Sequence, residues 1–234
     1  MISFIIPVFN EEKNIKNLIE EILLLDLKNE YEIIIVNDCS SDNSKKICEK
    51  FLNFKNFFVI NNDVNIGQSK SIFRGIKESK FNIICTLDGD GQNDPKDIPK
   101  LLNIYIKNID VNLVSGIRKN RKDSYIKKIS SIIANKIRKK ILNDDCDDTG
   151  CSLKVFNKKI FLKFPLFNGI HRFLPALFKG YGHKCLFISV NHRKRKFGIS
   201  NYGTFGRLFR GILDIYRVKK IIQKRNNSLK SFHE

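Results

Sequence analysis

Short apolar runs alternate with amphipathic segments along the first half of the sequence, and this alternation most constrains the fold. The runs begin near Ile2, Tyr31, Phe57 and Phe81, and each is followed by polar residues and then by apolar residues at helical spacing. Strands separated by single helices are typical of βαβ units, which pair their strands in parallel. The sequence therefore predicts an α/β domain with a central, mostly parallel sheet flanked by helices.

Three of the predicted strands end in acidic or amide side chains. These ends read Asn10-Glu11-Glu12, Asn37-Asp38 and Asp88-Gly89-Asp90. In parallel α/β sheets, ligands bind at the carboxyl ends of the strands. We therefore expect the three ends to form one site, and we also expect Asn10 to cap the first helix.

The motif at residues 88–92, DGDGQ, predicts a site for a divalent metal ion. Residues two apart on an extended strand point to the same side, so Asp88, Asp90 and Gln92 can present oxygens to one point. Such oxygen sets suit Mg²⁺ or Mn²⁺ and leave coordination positions for substrate phosphates. A lone acidic pair is more often a solvated turn, but the two neighbouring acidic strand ends favour the metal site here.

Composition limits the class of protein. A formal net charge of +19 over 234 residues favours an anionic partner, such as nucleic acid, an anionic membrane surface or a phosphorylated substrate. The six cysteines form no C-x-x-C pair, which favours reduced thiols over zinc binding or disulfides. Neither phosphate-binding glycine motif, G-x-x-x-x-G-K-[ST] or G-x-G-x-x-G after the first strand, is present. No run is long enough to span a bilayer and no signal peptide is evident, so we expect a cytoplasmic chain.

The second half of the sequence is less regular. An acidic loop at 144–151 precedes a short predicted strand at 153–156, and another strand is predicted at 185–190. A helical segment at 171–181 contains Pro175, where we expect a break.

The last part of the sequence is basic and amphipathic. Residues 204–225 place apolar side chains on one helical face and mostly arginine and lysine on the rest. This pattern is typical of a membrane-surface helix, and equally of a helix packed on its own domain. We predict a domain at 1–203, this basic helix at 204–225 and a disordered tail at 226–234.

Eight motifs resemble glycosyltransferase family 2, and together they cover nearly the whole chain. Four are shared with the family at large: IIPVFNEE at 5–12, VNDCSSD at 36–42, NIGQSKSIFRGI at 65–76 and LDGDGQNDP at 87–95. Four are closer to its polyprenyl-phosphate branch, typified by dolichol-phosphate mannosyltransferases: SGIRKNRKD at 115–123, DDTGCSLKVF at 147–156, GIHRFLPAL at 169–177 and VNHRKRKFGISNYG at 190–203. The resemblance implies a single Rossmann-like domain of GT-A type that binds a nucleotide-diphosphate sugar.

The resemblance also implies roles for individual residues. The nucleotide pocket would be lined by Pro7, Asn10, Glu11, Asp38, Gly67 and Asp88. The metal ion would be held against the diphosphate by Asp88, Asp90 and Gln92. The acceptor phosphate would be bound by Arg118, Arg121, Arg193, Arg195 and Ser200. The catalytic set would be Asp90, Asp148, Arg118, Arg193 and Arg195, with Asp148 positioning the donor sugar or the acceptor, or else only capping the strand after it.

Two further features of these motifs leave alternatives open. His171 and Arg172 would contact the donor diphosphate or serve only as a cap and a surface charge. The family commonly has Ser-Lys-Tyr-Gly where this sequence has SNYG at 200–203, so a phosphate-binding lysine is missing at Asn201. Lys194 and Lys196 are the candidates to replace it.

The implied activity is metal-dependent, inverting transfer of a sugar, mannose or a similar hexose, from a nucleotide-diphosphate sugar to a polyprenyl phosphate. The enzyme would act as a peripheral protein on the cytoplasmic face of an anionic membrane, with a separate membrane-embedded protein as a further expected partner. One alternative is a family 2 enzyme that transfers to a hydroxyl group of a glycan, with Asp148 as general base. A remote alternative, suggested by charge alone, is a nucleic-acid-binding protein, but no module of that kind is recognisable.

Overall fold

The computed structural model describes residues 1–118, 135–194 and 204–230, with side chains of the last range described from 211 to 228. The strands are β1 (Ile2–Val8), β2 (Tyr31–Asn37), β3 (Phe57–Asn61), β4 (Ile83–Thr86), β5 (Val111–Arg118), β6 (Lys154–Asn157) and β7 (Lys184–Val190). The helices are α1 (Ile15–Leu23), α2 (Ser44–Glu49), α3 (Gln68–Glu78), α4 (Ile98–Lys107), α5 (135–142), α6 (Lys158–Phe161), α7 (Leu174–Gly180) and α8 (Thr204–Lys230). Short 3-10 turns lie at Pro95–Asp97 and Ile170–Arg172.

The strands form one sheet in the order β3-β2-β1-β4-β6-β5-β7. Only β6 runs antiparallel to its neighbours, β4 and β5, so the prediction of a mostly parallel α/β sheet is confirmed. The carboxyl ends of the other six strands therefore lie along one edge of the sheet, together with the first residue of β6. We call this edge the carboxyl edge.

Helices cover both faces of the sheet, because successive residues of a strand point to opposite faces. Along β1, Ile2, Phe4 and Ile6 belong to one buried cluster, which also contains apolar residues of α1 and α4. Ile5 belongs to the other cluster, which contains apolar residues of α3, α7 and α8. The central strands are buried on both sides, and polar groups within them are paired, as in the hydrogen bond from Ser3 Oγ to Glu32 Oε1 at 2.6 Å.

Two local predictions differ from the structure near polar turns. α1 begins at Ile15 with Asn14 as its N-cap residue, so the prediction that Asn10 caps it is wrong. Asn10 instead has φ +57°, and its Oδ1 accepts a hydrogen bond from Ser41 N at 2.8 Å, which ties the chain to the next loop. Pro175 lies in the first turn of α7 rather than at a break inside a helix, since proline is tolerated there.

The last helix is longer than its sequence pattern indicates. α8 continues past residue 225 to Lys230, so the disorder predicted from residue 226 does not apply to residues 226–230. No proline or glycine interrupts this stretch, and Ser228 Oγ donates to Lys224 O at 3.0 Å within the helix. None of the described helices combines the length and the apolarity that crossing a bilayer requires.

Candidate active site at the carboxyl edge

The loops after β1 and β2 are joined by hydrogen bonds from backbone groups to side chains. Besides the bond between Asn10 and Ser41, Glu11 N donates to Ser44 Oγ at 2.8 Å. Glu12 N donates to Asp42 Oδ2 at 3.1 Å. The two loops therefore form one continuous surface at the carboxyl edge, beside the end of β1 where Pro7 lies.

Asp38 joins the β2 loop to the loop after β3. Its Oδ1 accepts from Asn62 Nδ2 at 2.7 Å and from Ile66 N at 2.9 Å. Its Oδ2 accepts from Gly67 N at 2.8 Å. Gly67 has φ +87°, a conformation that favours glycine, so this loop can turn its amides toward the carboxylate.

The acidic motif predicted from the sequence follows β4 and passes against the end of β1. A Cβ at Gly89 would lie 3.1 Å from Pro7 O, so a side chain there would crowd β1. Asp88 Oδ1 accepts a hydrogen bond from Gln68 Nε2 at 2.7 Å, and Asp88 N donates to Asn93 Oδ1 at 3.1 Å. These contacts hold the Asp88 carboxylate at the centre of the carboxyl edge.

The two carboxylates of the motif repel each other. The pKa of Asp88 is raised to about 6 because the carboxyl group is buried and because Asp90 lies nearby, although Ser152, Lys154 and Arg118 oppose the shift. A cation between the two carboxylates would relieve both burial and repulsion. No cluster of three His, Cys, Asp or Glu side chains suited to a metal occurs in the described part of the chain, so a metal ion here would need Gln92 and ligand oxygens as well.

Gln92 is held beside Asp90 by hydrogen bonds from its backbone and from its side chain. Its backbone N donates to Asp90 Oδ1 at 3.0 Å, and its Nε2 donates to Arg193 O at 3.4 Å. Arg193 N returns a bond to Gln92 O at 2.9 Å. Asp88, Asp90 and Gln92 are therefore neighbours at the carboxyl edge. Carboxylate and amide oxygens are ligands that Mg²⁺ and Mn²⁺ prefer, together with phosphate oxygens.

The segment after β7 is bonded to the loop after β4. Asn191 Nδ2 donates to Asp94 Oδ2 at 2.9 Å, and Arg193 Nη2 donates to Asp94 Oδ1 at 2.6 Å. The other arm of Arg193 pairs with Glu21 Oε2 at 2.6 Å. Arg193 thus lies beside the acidic motif, with its guanidinium engaged by two carboxylates.

Arg118 and Asp148 form a bidentate ion pair on the other side of the motif. The Nε–Oδ2 distance is 2.7 Å and the Nη2–Oδ1 distance is 2.8 Å, and the two side chains are only 16% and 6% exposed. A Cβ at Gly150 would lie 2.8 Å from Arg118 Nη2, so a larger residue there would displace the guanidinium from its present position. This pair fixes the loop of residues 143–152, which we call the acidic loop.

A second buried ion pair holds the far end of the acidic loop. Arg138 on α5 bonds to Asp144 at 2.7 and 3.1 Å, and both side chains are almost fully buried. Arg138 also donates to Thr149 Oγ1 at 2.9 Å and to Cys146 O. The acidic loop is therefore held at both ends by arginine–carboxylate pairs.

Several of the predicted site residues lie outside the described residues. These are Arg121, Arg195 and Ser200, together with the replacement candidate Lys196 and the departure at Asn201. Their predicted roles stay predictions. The described members of the predicted set all lie along the carboxyl edge.

Sequence reasoning missed four residues that support the site. Gln68 bonds to the Asp88 carboxylate and Asn93 to the Asp88 backbone, and both lie inside motifs quoted above without having been assigned a role. Arg138 lies among many basic residues, and no sequence pattern distinguishes it from them. Lys154 does carry one, because it is a lysine within the apolar run of 153–156.

Comparison with known proteins agrees with this geometry. The profile of "Glycosyl transferase family 2" matches residues 3–164. The chain is 34% identical over 224 residues to a dodecaprenyl-phosphate galacturonate synthase of Rhizobium johnstonii, covering 93% of this chain and 66% of that protein. It is 33% identical over 205 residues to an undecaprenyl-phosphate 4-deoxy-4-formamido-L-arabinose transferase of Proteus mirabilis, covering 86% of this chain and 62% of that protein. The chain thus spans less than two thirds of the length of these relatives.

Solved structures share the fold. Glucosyl-3-phosphoglycerate synthase of Mycobacterium tuberculosis, in complex with Mn²⁺, UDP and glucosyl-3-phosphoglycerate, superposes with a TM-score of 0.73 at 14% identity. The match covers 94% of this chain and 79% of that one. The same synthase in complex with Mg²⁺ and UDP gives a TM-score of 0.70, also at 14% identity, over 92% of this chain and 79% of that one. The GT-A-like fold is therefore confirmed, and the chain belongs to glycosyl transferase family 2.

Proposed function

We propose that this protein transfers a sugar from a nucleotide-diphosphate sugar to a polyprenyl phosphate, in a metal-dependent reaction that inverts the anomeric configuration. The observation that carries the proposal is the meeting of Asp88, Asp90 and Gln92 with the Arg118–Asp148 pair at one edge of the sheet. Two relatives named for transfer to polyprenyl phosphates support the acceptor class. Related folds in complex with Mn²⁺ or Mg²⁺ and UDP support the metal and the donor class.

The donor would lie against the loops after β1, β2 and β3. Asp88, Asp90 and Gln92 would hold Mg²⁺ or Mn²⁺, which would supply positive charge to the departing diphosphate. Pro7, Asn10 and Glu11 would border the nucleotide. Asp38 would shape the pocket by fixing the loop that ends at Gly67, since three hydrogen bonds from that loop already engage its carboxylate. The tight hydrogen bonding of these loops would preorganise the pocket.

The acceptor would enter from the side of the acidic loop. A phosphate monoester is already an anion at neutral pH, so its oxygen can attack the anomeric carbon without a general base. Arginine suits phosphate because its planar guanidinium donates two parallel hydrogen bonds. Arg118 would bind the acceptor phosphate with part of its fork while Asp148 keeps it oriented. The predicted companions are Arg121, Arg193, Arg195 and Ser200.

The sugar is the least determined part of the proposal. Mannose or a similar hexose follows from the resemblance to dolichol-phosphate mannosyltransferases, whereas the two relatives are named for galacturonate and for a formamido-arabinose. A donor panel should therefore include nucleotide forms of hexoses, hexuronates and aminopentoses. Transfer from a nucleotide hexose in that panel would support the hexosyltransferase assignment, and transfer only from another sugar class would contradict it.

Residues of α8 support a peripheral location on the inner membrane face. One side of the helix packs on the domain, with Asp214 paired to Arg172 at 3.0 Å. Another side exposes Ile212, Leu213 and Tyr216, each more than half accessible, next to basic residues of the same helix. Apolar side chains flanked by lysine and arginine suit an anionic bilayer surface. Sedimentation with anionic but not with zwitterionic vesicles is the expected result.

The alternative of a hydroxyl acceptor is less well supported by the site. It needs a general base, and the candidate, Asp148, has both oxygens bonded to Arg118. A base role would require this carboxylate to leave a bidentate pair. The nucleic-acid alternative has no support from the family match or from the acidic carboxyl edge.

The test is transfer of radiolabelled sugar into an organic-extractable lipid, with polyprenyl phosphate and Mn²⁺ or Mg²⁺ present. Thermal shift against the nucleotide-sugar panel, with and without Mn²⁺, selects the donor first. Label appearing in lipid only when metal and polyprenyl phosphate are both present is the expected result. Folded protein that transfers from no donor of the panel, or that labels a free polyprenol equally well, contradicts the proposal.

A further inference from the structure

A lysine is buried under the candidate active site. Lys154, the first residue of β6, is 2% exposed and pairs in register with Thr86 of β4 and Ser115 of β5. Its Nζ donates to Cys151 O and lies 3.5 Å from Thr149 O, so its hydrogen bonds go to carbonyl oxygens of the acidic loop. The ammonium thus lies at the carboxyl edge, directly behind that loop.

A buried ammonium is costly, and its presence here needs a reason. Removing a charge from water is strongly unfavourable unless a close opposite charge and hydrogen bonds compensate for it. Burial lowers the pKa of Lys154, and the charges of Asp148 and Asp88 act in the opposite direction. An apolar residue of similar length would satisfy the packing of β6 at lower cost. The charge itself is therefore the feature to explain.

Lys154 also faces a small cavity beside Asp88. The cavity is lined by Asp88, Lys154 and His171, together with Thr86, Ser152 and apolar side chains. His171 is hydrogen-bonded through Nδ1 to Ser69 Oγ at 2.8 Å, and burial together with Arg172 and Lys154 lowers its pKa to about 3, so it is neutral. Among these lining residues, Lys154 is therefore the one that can carry a positive charge.

We infer that Lys154 is a positioning residue that acts as a fixed positive charge, favouring the anionic substrates and opposing the metal ion. The inference rests on the proposed function, in which a diphosphate and an acceptor phosphate both approach Asp88. A preorganised charge beneath the site attracts these anions without reorganising when they bind. The same charge repels a divalent cation at Asp88 and Asp90. Its removal should therefore change the two affinities in opposite directions, which loss of a purely structural contact would not do.

The opposite end of β6 offers a matched control. Lys158 directly follows the strand, and its Nζ donates to Lys77 O at 3.2 Å and to Ser79 O. It is thus a second lysine bonded to two backbone carbonyls, but at the edge of the sheet away from the site. Lys158→Met removes the same kind of contact without removing charge from the carboxyl edge.

The experiment compares the full chain with Lys154→Met, Lys154→Gln and Lys158→Met. Mn²⁺ binding without nucleotide is measured by electron paramagnetic resonance at pH 8, where Asp88 is ionised. Binding of UDP, GDP and CDP is measured by calorimetry at saturating Mn²⁺. For Lys154→Met we expect the nucleoside diphosphate to bind about tenfold more weakly and Mn²⁺ alone to bind a few-fold more tightly. Lys158→Met should match the wild type in both.

Lys154→Gln separates charge from hydrogen bonding, since the amide can still donate to the loop carbonyls. We expect it to behave like Lys154→Met. Wild-type affinities in Lys154→Gln, or parallel weakening of both ligands in either variant, overturn the inference and leave Lys154 a structural residue. Wild-type protein that binds neither Mn²⁺ nor any of the three nucleotides contradicts the proposed function as well. Circular dichroism and thermal melting verify that each variant is folded.

Discussion

The carboxylates on the two sides of the carboxyl edge have different partners: neutral amides on one side and arginines on the other. On the side of β1 to β4, Asp38 and Asp88 receive hydrogen bonds from neutral amides, such as Gly67 N and Gln68 Nε2. On the side of the acidic loop, Asp144 and Asp148 are each held by the two arms of an arginine. Amides orient a carboxylate without neutralising its charge, whereas guanidinium groups neutralise that charge inside the protein.

This difference indicates which side can bind a cation. The β4 side places Asp88 and Asp90 next to each other, and the pKa of Asp88 is raised first by burial and then by the charge of Asp90. The acidic loop, despite its four aspartates, is locked by Arg118 and Arg138 and by exposed pairs such as Lys139 with Asp147. Although the acidic loop contains more aspartates than the motif at 88–92, its ion pairs make it the weaker candidate for a metal site.

Among the substitutions that test this difference between the two sides, we expect the largest effect at Asp90. Asp90→Asn keeps the shape of the side chain but removes a negative charge from the proposed metal site. We expect sugar transfer to fall about 10³-fold or more, because charge on the leaving diphosphate would no longer be stabilised by a well-held metal ion. Transfer is measured with radiolabelled donor, and thermal melting tests the fold. Unchanged transfer in this variant would show that Asp90 is not a metal ligand.

On the other side, removing a carboxylate should affect stability more than chemistry. Asp144→Asn leaves the buried Arg138 guanidinium without its counter-charge, so the free energy of unfolding should fall by about 3–5 kcal/mol. Lys139→Met is the control, since its pair with Asp147 is exposed and should contribute less than about 1 kcal/mol. Urea unfolding measures both variants. Equal losses in the two would mean that the Arg138 pair is no stronger than a surface pair.

The raised pKa of Asp88 predicts how metal binding depends on pH. A metal ion must displace the proton that Asp88 holds up to about pH 6, so the apparent Mn²⁺ affinity should rise with pH and level off above that value. Below pH 6 we expect about a tenfold loss per pH unit for one competing proton. In metal-free protein the same shift makes the free energy of unfolding decrease as pH rises from about 4 to about 6. Mn²⁺ affinity that is constant from pH 5 to pH 7 would contradict the assignment.

We expect the smallest effect from removing the neutral amide of Gln68 that bonds to Asp88. Gln68→Ala removes the amide that holds Asp88 Oδ1, and should weaken Mn²⁺ binding about tenfold while changing the melting temperature little. Gln223→Ala, at an exposed position of α8, is the control and should behave like the wild type. Mn²⁺ affinities comparable in both variants would show that Asp88 needs no partner to hold its orientation.

Much of the first half of the chain could be predicted because its signals are local. Buried strands, amphipathic helices and polar strand ends repeat in order, and the family motifs add the identity of the site. The prediction that Asn10 caps α1 is wrong because Ser41, distant in sequence, bonds to Asn10 and holds it in a turn. Likewise, the resemblance assigned Asp38 to the nucleotide without revealing that its carboxylate holds the loop of residues 62–67.

The sequence by itself determined the fold class, the family and the position of the acidic motif at the end of β4. These follow from periodicity and from short motifs, which depend on residues close together in the chain. Only the tertiary structure decided which charges meet. It pairs Arg118 with Asp148 and Arg193 with Glu21, and it buries Lys154 behind the acidic loop. The two ion pairs join residues 30 and 172 positions apart in the chain. Electrostatic interactions depend on distance and burial, which spacing along the chain does not specify.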